Sequence, residues 1–135
     1  MQQITLEAAI DNLSKAIDFI DGCLEGMDCP LKKQMQVDVA VEELFVNVAH
    51  YAYPGTKGDV TITFETESGP ARALITLTDS GIPFNPLERE DPDITLKAEE
   101  RGVGGLGIFM VKKSVDAIEY RYSGGKNILR ITKNI

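Results

Sequence analysis

Three short segments of this chain carry residue types able to do chemistry, and each is ambiguous when taken alone. In GVGGLGIFM, Gly102, Gly104, Gly105 and Gly107 crowd the start of an amphipathic run. Glycines at a helix N-terminus let backbone N–H groups approach an anion closely, and the helix dipole favours negative charge there. Phosphate contact explains that density of glycine better than a simple helix cap. In LTDSGIPF, Asp79 ends an apolar stretch and enters a glycine turn. Such an aspartate is commonly a turn-former, but one leaving a buried strand can also lie on a pocket floor and accept from a ligand amine. In VEELFVNVAH, Glu43 and Asn47 stand at i, i+4 on one helical face. Because unpartnered burial is costly, that pair by itself reads as an edge carboxylate and a satisfied core amide.

The glycine run has the form G-x-G-x-x-G, yet a dinucleotide-binding unit is rejected. The preceding EERG is no strand, and too little chain follows Gly107 for a Rossmann half. With 14 basic and 21 acidic residues the net charge is −7, which argues against general nucleic-acid or anionic-membrane binding. One bound nucleotide is compatible, since backbone N–H groups and a metal can meet its charge locally. A single histidine, His50, excludes two-histidine zinc sites, and no G-x-S-x-G accompanies it. Cys23 and Cys29 are too few for a disulfide framework and fit two ordinary thiols in a reducing cytoplasm. The opening MQQITLEAAI lacks a basic segment followed by an apolar run, so secretion is not expected. No apolar stretch nears the roughly 20 residues that span a bilayer.

The elements that must position these residues follow from periodicity. Ile4, Leu6 and Ala8 alternate with polar residues and predict a half-buried strand. An Asp11 or Asn12 cap introduces a helix carrying Leu13, Ala16, Ile17, Ile20 and Leu24. Pro30 opens a second helix through Met35, Val39, Leu44 and Val48, ending at Tyr53-Pro54-Gly55, with its C-terminal half buried. Strands are predicted over Asp59–Thr66 and Ala71–Thr78, joined by Ser68-Gly69-Pro70, and over Ala117–Ser123 and Asn127–Lys133 about a Gly124-Gly125 turn. Between the pairs lie an irregular, proline-bearing, acidic stretch, Asp79–Arg101, and a helix over Ile108–Val115. One domain, residues 1–135, is expected, of α+β class: a two-layer sandwich with helices on one face of a mixed, mostly antiparallel sheet.

An E-x-x-x-N helix, then D-x-G-x-P-F after a strand, then G-G-L-G opening a helix, in that order, resembles the GHKL (Bergerat-fold) histidine-kinase-like ATPase domains. The closer likeness is to the branch of anti-sigma-factor serine/threonine kinases. VEELFVNVAHYAYPG is similar to that branch's N-box, LTDSGIPFNPL to its G1 box and GGLGIFMVKK to its G2 box, and the resemblance runs over nearly the whole chain.

The resemblance implies ATP and Mg²⁺ as cofactors. By it, Asn47 coordinates the metal and Glu43 is the catalytic carboxylate that orients or deprotonates the attacking hydroxyl. Asp79 accepts from the adenine amine, and Gly81 lets the backbone pass close to the ring. Leu87–Val103 forms an ATP lid, and Gly104, Gly105, Leu106 and Gly107 meet the phosphates. Arg101 borders the lid, as a phosphate contact or as a solvated charge. Glu42 is a solvent- or partner-facing acid. Where many members of the branch carry His-Ala-Tyr, this chain has Tyr51-Ala52-Tyr53, so His50 is an ordinary helix-end residue. The implied activity is ATP-dependent phosphorylation of a STAS-type anti-anti-sigma protein by a cytoplasmic kinase that sequesters a sigma factor or other regulator, with room for a homodimer. The alternative is a regulatory module that uses nucleotide as a conformational switch without efficient transfer.

Overall fold

The computed structural model describes residues 1–88 and 105–135, with the side chains of Gly105 and Leu106 excepted. Most of the expected lid, together with Arg101 and Gly104, lies outside the described residues. The elements run β1 (Gln2–Glu7), α1 (Leu13–Glu25), α2 (Leu31–Tyr51), β2 (Asp59–Glu67), β3 (Arg72–Asp79), α3 (Gly105–Ser114), β4 (Ala117–Ser123) and β5 (Lys126–Asn134). Short 3₁₀ turns at Ile10–Asn12 and Pro86–Glu88 precede α1 and follow β3. The strands form one sheet in the order β1-β2-β3-β5-β4, and each neighbouring pair is antiparallel. Two tight hairpins account for much of that order. Gly124 and Gly125 both take positive φ, +62° and +76°, the backbone that a two-residue turn between β4 and β5 requires.

Alternation along the strands sends one set of side chains toward the helices. Val60, Ile62 and Phe64 of β2, Ala73, Ile75 and Leu77 of β3, and Leu129 and Ile131 of β5 are buried in a single cluster. Onto it pack Ala16, Ile20 and Leu24 of α1, Val37, Ala40, Val41, Leu44 and Phe45 of α2, and Ile108 and Val111 of α3. Helices therefore cover one face of an antiparallel sheet, the α+β arrangement that the element order predicts.

Continuing the same alternation places polar residues at both ends of the apolar stripe. Asp79 follows Leu77 on the inward face of β3, and Asn127 precedes Leu129 on that of β5; the two are cross-strand partners. At the far end, buried Lys133 donates from Nζ to the carbonyl of Ser114 at 2.8 Å, meeting the C-terminus of α3.

Several local expectations are corrected. Asn12 occupies the N-cap of α1, but its Nδ2 donates to the carbonyl of Glu7 at 2.9 Å, so it ties the helix start to β1 and makes no cap hydrogen bond. Ala8 lies beyond the first strand, which ends at Glu7. Met35 and Val39 of the α2 apolar run are exposed, at 59% and 39%. With Leu31 and Met110 they border a shallow groove between α2 and α3, while the core face of α2 is carried by Val37, Val41, Leu44 and Phe45. No helix among the described residues is long and apolar enough to cross a membrane.

Candidate functional site

At the polar end of the sheet, the turn after β3 folds back over the C-terminus of α2. The N–H of Gly81 donates to Asp79 Oδ1 at 2.9 Å, an Asx turn that reverses the chain. The N–H of Ile82 then donates to the carbonyl of Ala52 at 2.9 Å. A side chain at Gly81 would overlap the carbonyl oxygen and Cβ of Ala52, so glycine is required here for the turn to seat on α2. The close approach that Gly81 makes in this structure is thus to the protein's own helix. Tyr53 pins the same corner: its hydroxyl donates to the carbonyl of Asp59 at 2.6 Å and accepts from the N–H of Ser80 at 2.9 Å. Burial foremost, with the nearby Asp79 and Asp59 carboxylates, pushes the Tyr53 phenol up, against the opposing effect of the Ser80 donor.

Between this turn, α2 and the sheet lies a slot. Leu77 and Leu129 form its floor from the sheet; Leu44 and Val48 of α2 and Ile82, Phe84 and Pro86 of the turn supply its walls. Phe84 stacks on Tyr51 with ring centroids 5.8 Å apart and planes at 29°. The lining residues with polar side-chain groups are Asn47, Tyr51, Asp79, Tyr120 and Asn127. An apolar slot with a buried carboxylate on its lining suits a flat heteroaromatic ring bearing a hydrogen-bond donor.

Asp79 and Asn127 are each only 6% exposed. Asn127 Nδ2 donates to Asp79 Oδ1 at 2.9 Å and to the carbonyl of Ile82 at 2.8 Å. Its Oδ1 accepts from the N–H of Phe84 at 3.1 Å and from the hydroxyl of Tyr120. Burial is the main influence raising the Tyr120 phenol, opposed by the backbone donor of Phe84.

The helices bring the other two predicted segments together. Glu43, half-buried, points from α2 onto the first turn of α3, where a Cβ at Gly107 would overlap Glu43 Oε2. Glycine there allows the N-terminal backbone of α3 to lie against the carboxylate. Gly105, Leu106 and Gly107 form that first turn, whose N–H groups have no intrahelical partner and are suited to an anion. Asn47 and Asp79 line one slot, whereas Glu43 stands outside its lining, one turn along α2 toward α3. Among the described residues no three His, Cys, Asp or Glu side chains are gathered to hold a metal. The side-chain oxygen of Asn47 is of the kind that Mg²⁺ takes, since that ion keeps several waters and shares its shell with phosphate.

Sequence reasoning missed Asn127, Tyr120, Phe84 and Tyr51. For Asn127 a signal existed: in NILRITK it takes the inward phase otherwise held by Leu129 and Ile131. His50 is exposed at the end of α2, as expected of a helix-end residue. Cys23 and Cys29 are free thiols, and burial is the main influence pushing each of them up.

Fold and site define a class that comparison with known proteins confirms: residues 6–133 match the histidine kinase-like ATPase domain, and the chain belongs to that family. Among curated relatives, it is 30% identical over 101 residues to the serine-protein kinase RsbW of Bacillus cereus, covering 72% of this chain and 61% of that protein. A serine-protein kinase RsbW of Bacillus thuringiensis is 29% identical over the same length, and one of Bacillus mycoides 28%. The match thus spans about three fifths of the length of these relatives. Among solved structures, the Acinetobacter baumannii histidine kinase AdeS has the same fold, with a TM-score of 0.50 at 12% identity over 99% of this chain and 68% of that one.

Proposed function

We propose that this chain is a single ATP-binding domain that transfers the γ-phosphoryl group of ATP to a serine or threonine of a STAS-type protein, within a partner switch that also engages a sigma factor or other regulator. The observation that carries this reading is the convergence of Asp79 and Asn47 on one apolar slot, with Glu43 held against the N-terminal turn of α3. Adenine occupies the slot with its amine donating to Asp79. The phosphates extend toward α3, where the free N–H groups of its first turn receive them, with Gly104 and Arg101 contributing from the preceding segment. When bound, Mg²⁺ neutralises developing charge on the phosphate oxygens. Asn47 supplies the oxygen that holds it. Glu43 orients the substrate hydroxyl and takes its proton, which its place beside the α3 N-terminus allows. The relatives named as serine-protein kinases support this activity.

Calorimetric titration with ATP and ADP, with and without Mg²⁺, tests the site. The wild type is expected to bind with Mg²⁺ dependence and Asp79→Asn to lose binding; equal binding by the variant would remove Asp79 from the role.

A further inference from the structure

The Asp79 slot contains a hydrogen-bond network whose direction is determined at every link, and that direction has a consequence for what the slot accepts. Asn127 uses its full capacity: both Nδ2 hydrogens are donated, to Asp79 Oδ1 and to the carbonyl of Ile82, and Oδ1 accepts from Phe84 N–H and Tyr120 O–H. Turning the amide over would set its oxygen against the Asp79 and Ile82 oxygens and its NH₂ against the Phe84 N–H. Only one orientation is compatible with these neighbours. Asp79 Oδ1 in turn receives two donors, Asn127 Nδ2 and the Gly81 N–H, both at 2.9 Å. Oδ2 receives no hydrogen bond from the described residues, and Asp79 lines the slot. One carboxylate oxygen is thus committed to the fold and the other is left as an acceptor for a ligand.

We infer that Asn127, locked by Tyr120, is the positioning residue that sets the base preference of this slot, holding Asp79 so that its free oxygen selects a 6-amino purine over a 6-oxo purine. This rests on the reading of the slot as a nucleotide site. A 6-oxo group brings an acceptor to an acceptor, and a buried unmade hydrogen bond is costly, so the discrimination comes from mismatch as much as from attraction. Tyr120 reaches Asn127 from the opposite side: on β4 it is two residues from Tyr122, the cross-strand partner of Asn127, and so lies on its diagonal. Asn127 also fastens the turn bearing Phe84, through the Ile82 carbonyl and the Phe84 N–H, which fixes the wall of the slot relative to Asp79.

The test is titration of ADP and inosine diphosphate against the wild type, Asn127→Leu and Tyr120→Phe, with melting temperature as the folding control. In the wild type ADP is preferred. Asn127→Leu is expected to lower the ADP-over-inosine ratio by about 10- to 100-fold, and Tyr120→Phe, which retains the ring and its packing, by roughly 3- to 10-fold. If Asn127→Leu and Tyr120→Phe weaken both nucleotides equally and leave the ratio at the wild-type value, Asn127 is a structural residue and the inference is overturned. A wild type that binds ADP but no better than inosine diphosphate overturns it as well. A wild type that binds neither overturns the nucleotide reading itself.

Discussion

Glu43 and Asn47 share one face of α2 yet have different surroundings, and this separates what their loss should do. Asn47 lines the slot; Glu43 rests on the backbone of Gly107, away from the ring-binding walls. Glu43→Gln preserves size and hydrogen-bonding reach while removing the proposed base. Phosphoryl transfer to a STAS-type protein, followed with radiolabelled ATP, is expected to fall by about 10²- to 10⁴-fold, with ADP affinity by calorimetry within roughly 2-fold of wild type. Undiminished transfer would end the assignment of Glu43 as base. Gly81 offers a second check at this scale. Its missing Cβ accommodates backbone atoms of Ala52, which cannot swing away as a side-chain tip can. Gly81→Ala should destabilise the fold by about 1–3 kcal/mol in urea denaturation and weaken nucleotide binding, because the turn carrying Phe84 must lift from α2. Glu43, Asn47 and Asp79 were readable because each belongs to a short motif whose spacing survives without tertiary information. Asn127 was not: its partner Asp79 is 48 residues away, and only the β3–β5 register brings them side by side.

Between elements, charge is placed less comfortably than in the slot. Asp21 of α1 and Asp38 of α2 face each other, and one buried Oδ1 on each has no hydrogen-bond partner among the described residues. Burial foremost, then the facing Asp21 carboxyl and the charge of Glu25, push the Asp38 carboxyl up to about 7. Since the folded value lies above the unfolded one, folding takes up a proton: the contribution to stability is complete below about pH 4 and is lost as pH rises through about 7. Asp38→Asn should flatten the dependence of urea stability on pH between about 4 and 8. At pH 8 it should be the more stable form by about 1 kcal/mol, the gain being limited by solvent screening. An unchanged slope would show that the pair stays ionised at the α1–α2 contact. The helices themselves were legible from period and caps, as were both hairpins from their glycines. The register of α1 against α2 was not, because periodicity identifies an apolar face without saying which polar neighbours end up opposed. The same limit explains Met35 and Val39, which continue the apolar run of α2 but lie on the side turned from the sheet.

In the molecule as a whole, the slot draws on α2, β3, β4, β5 and the turn after β3, so a bound ligand adds contacts between the helix layer and the sheet. Anything that binds the assembled slot and not the unfolded chain must raise the unfolding free energy, by about 2.7 kcal/mol at a ligand concentration 100 times its Kd. For a chain of 135 residues that corresponds to a rise in Tm of about 8 °C. The formal charge of −7 adds a condition. Bare ADP approaches a chain of its own sign, whereas the Mg²⁺ complex carries less charge and, on the proposed reading, would find an oxygen donor in Asn47. The Tm rise with Mg²⁺·ADP should therefore exceed that with ADP in a chelator, and the difference should shrink at high ionic strength as long-range repulsion is screened. Asp79→Asn should show neither rise, because the loss is at the ring and no counter-ion can restore it. Equal shifts with and without Mg²⁺ at low salt would place the phosphates on backbone N–H groups alone and leave Asn47 without its metal.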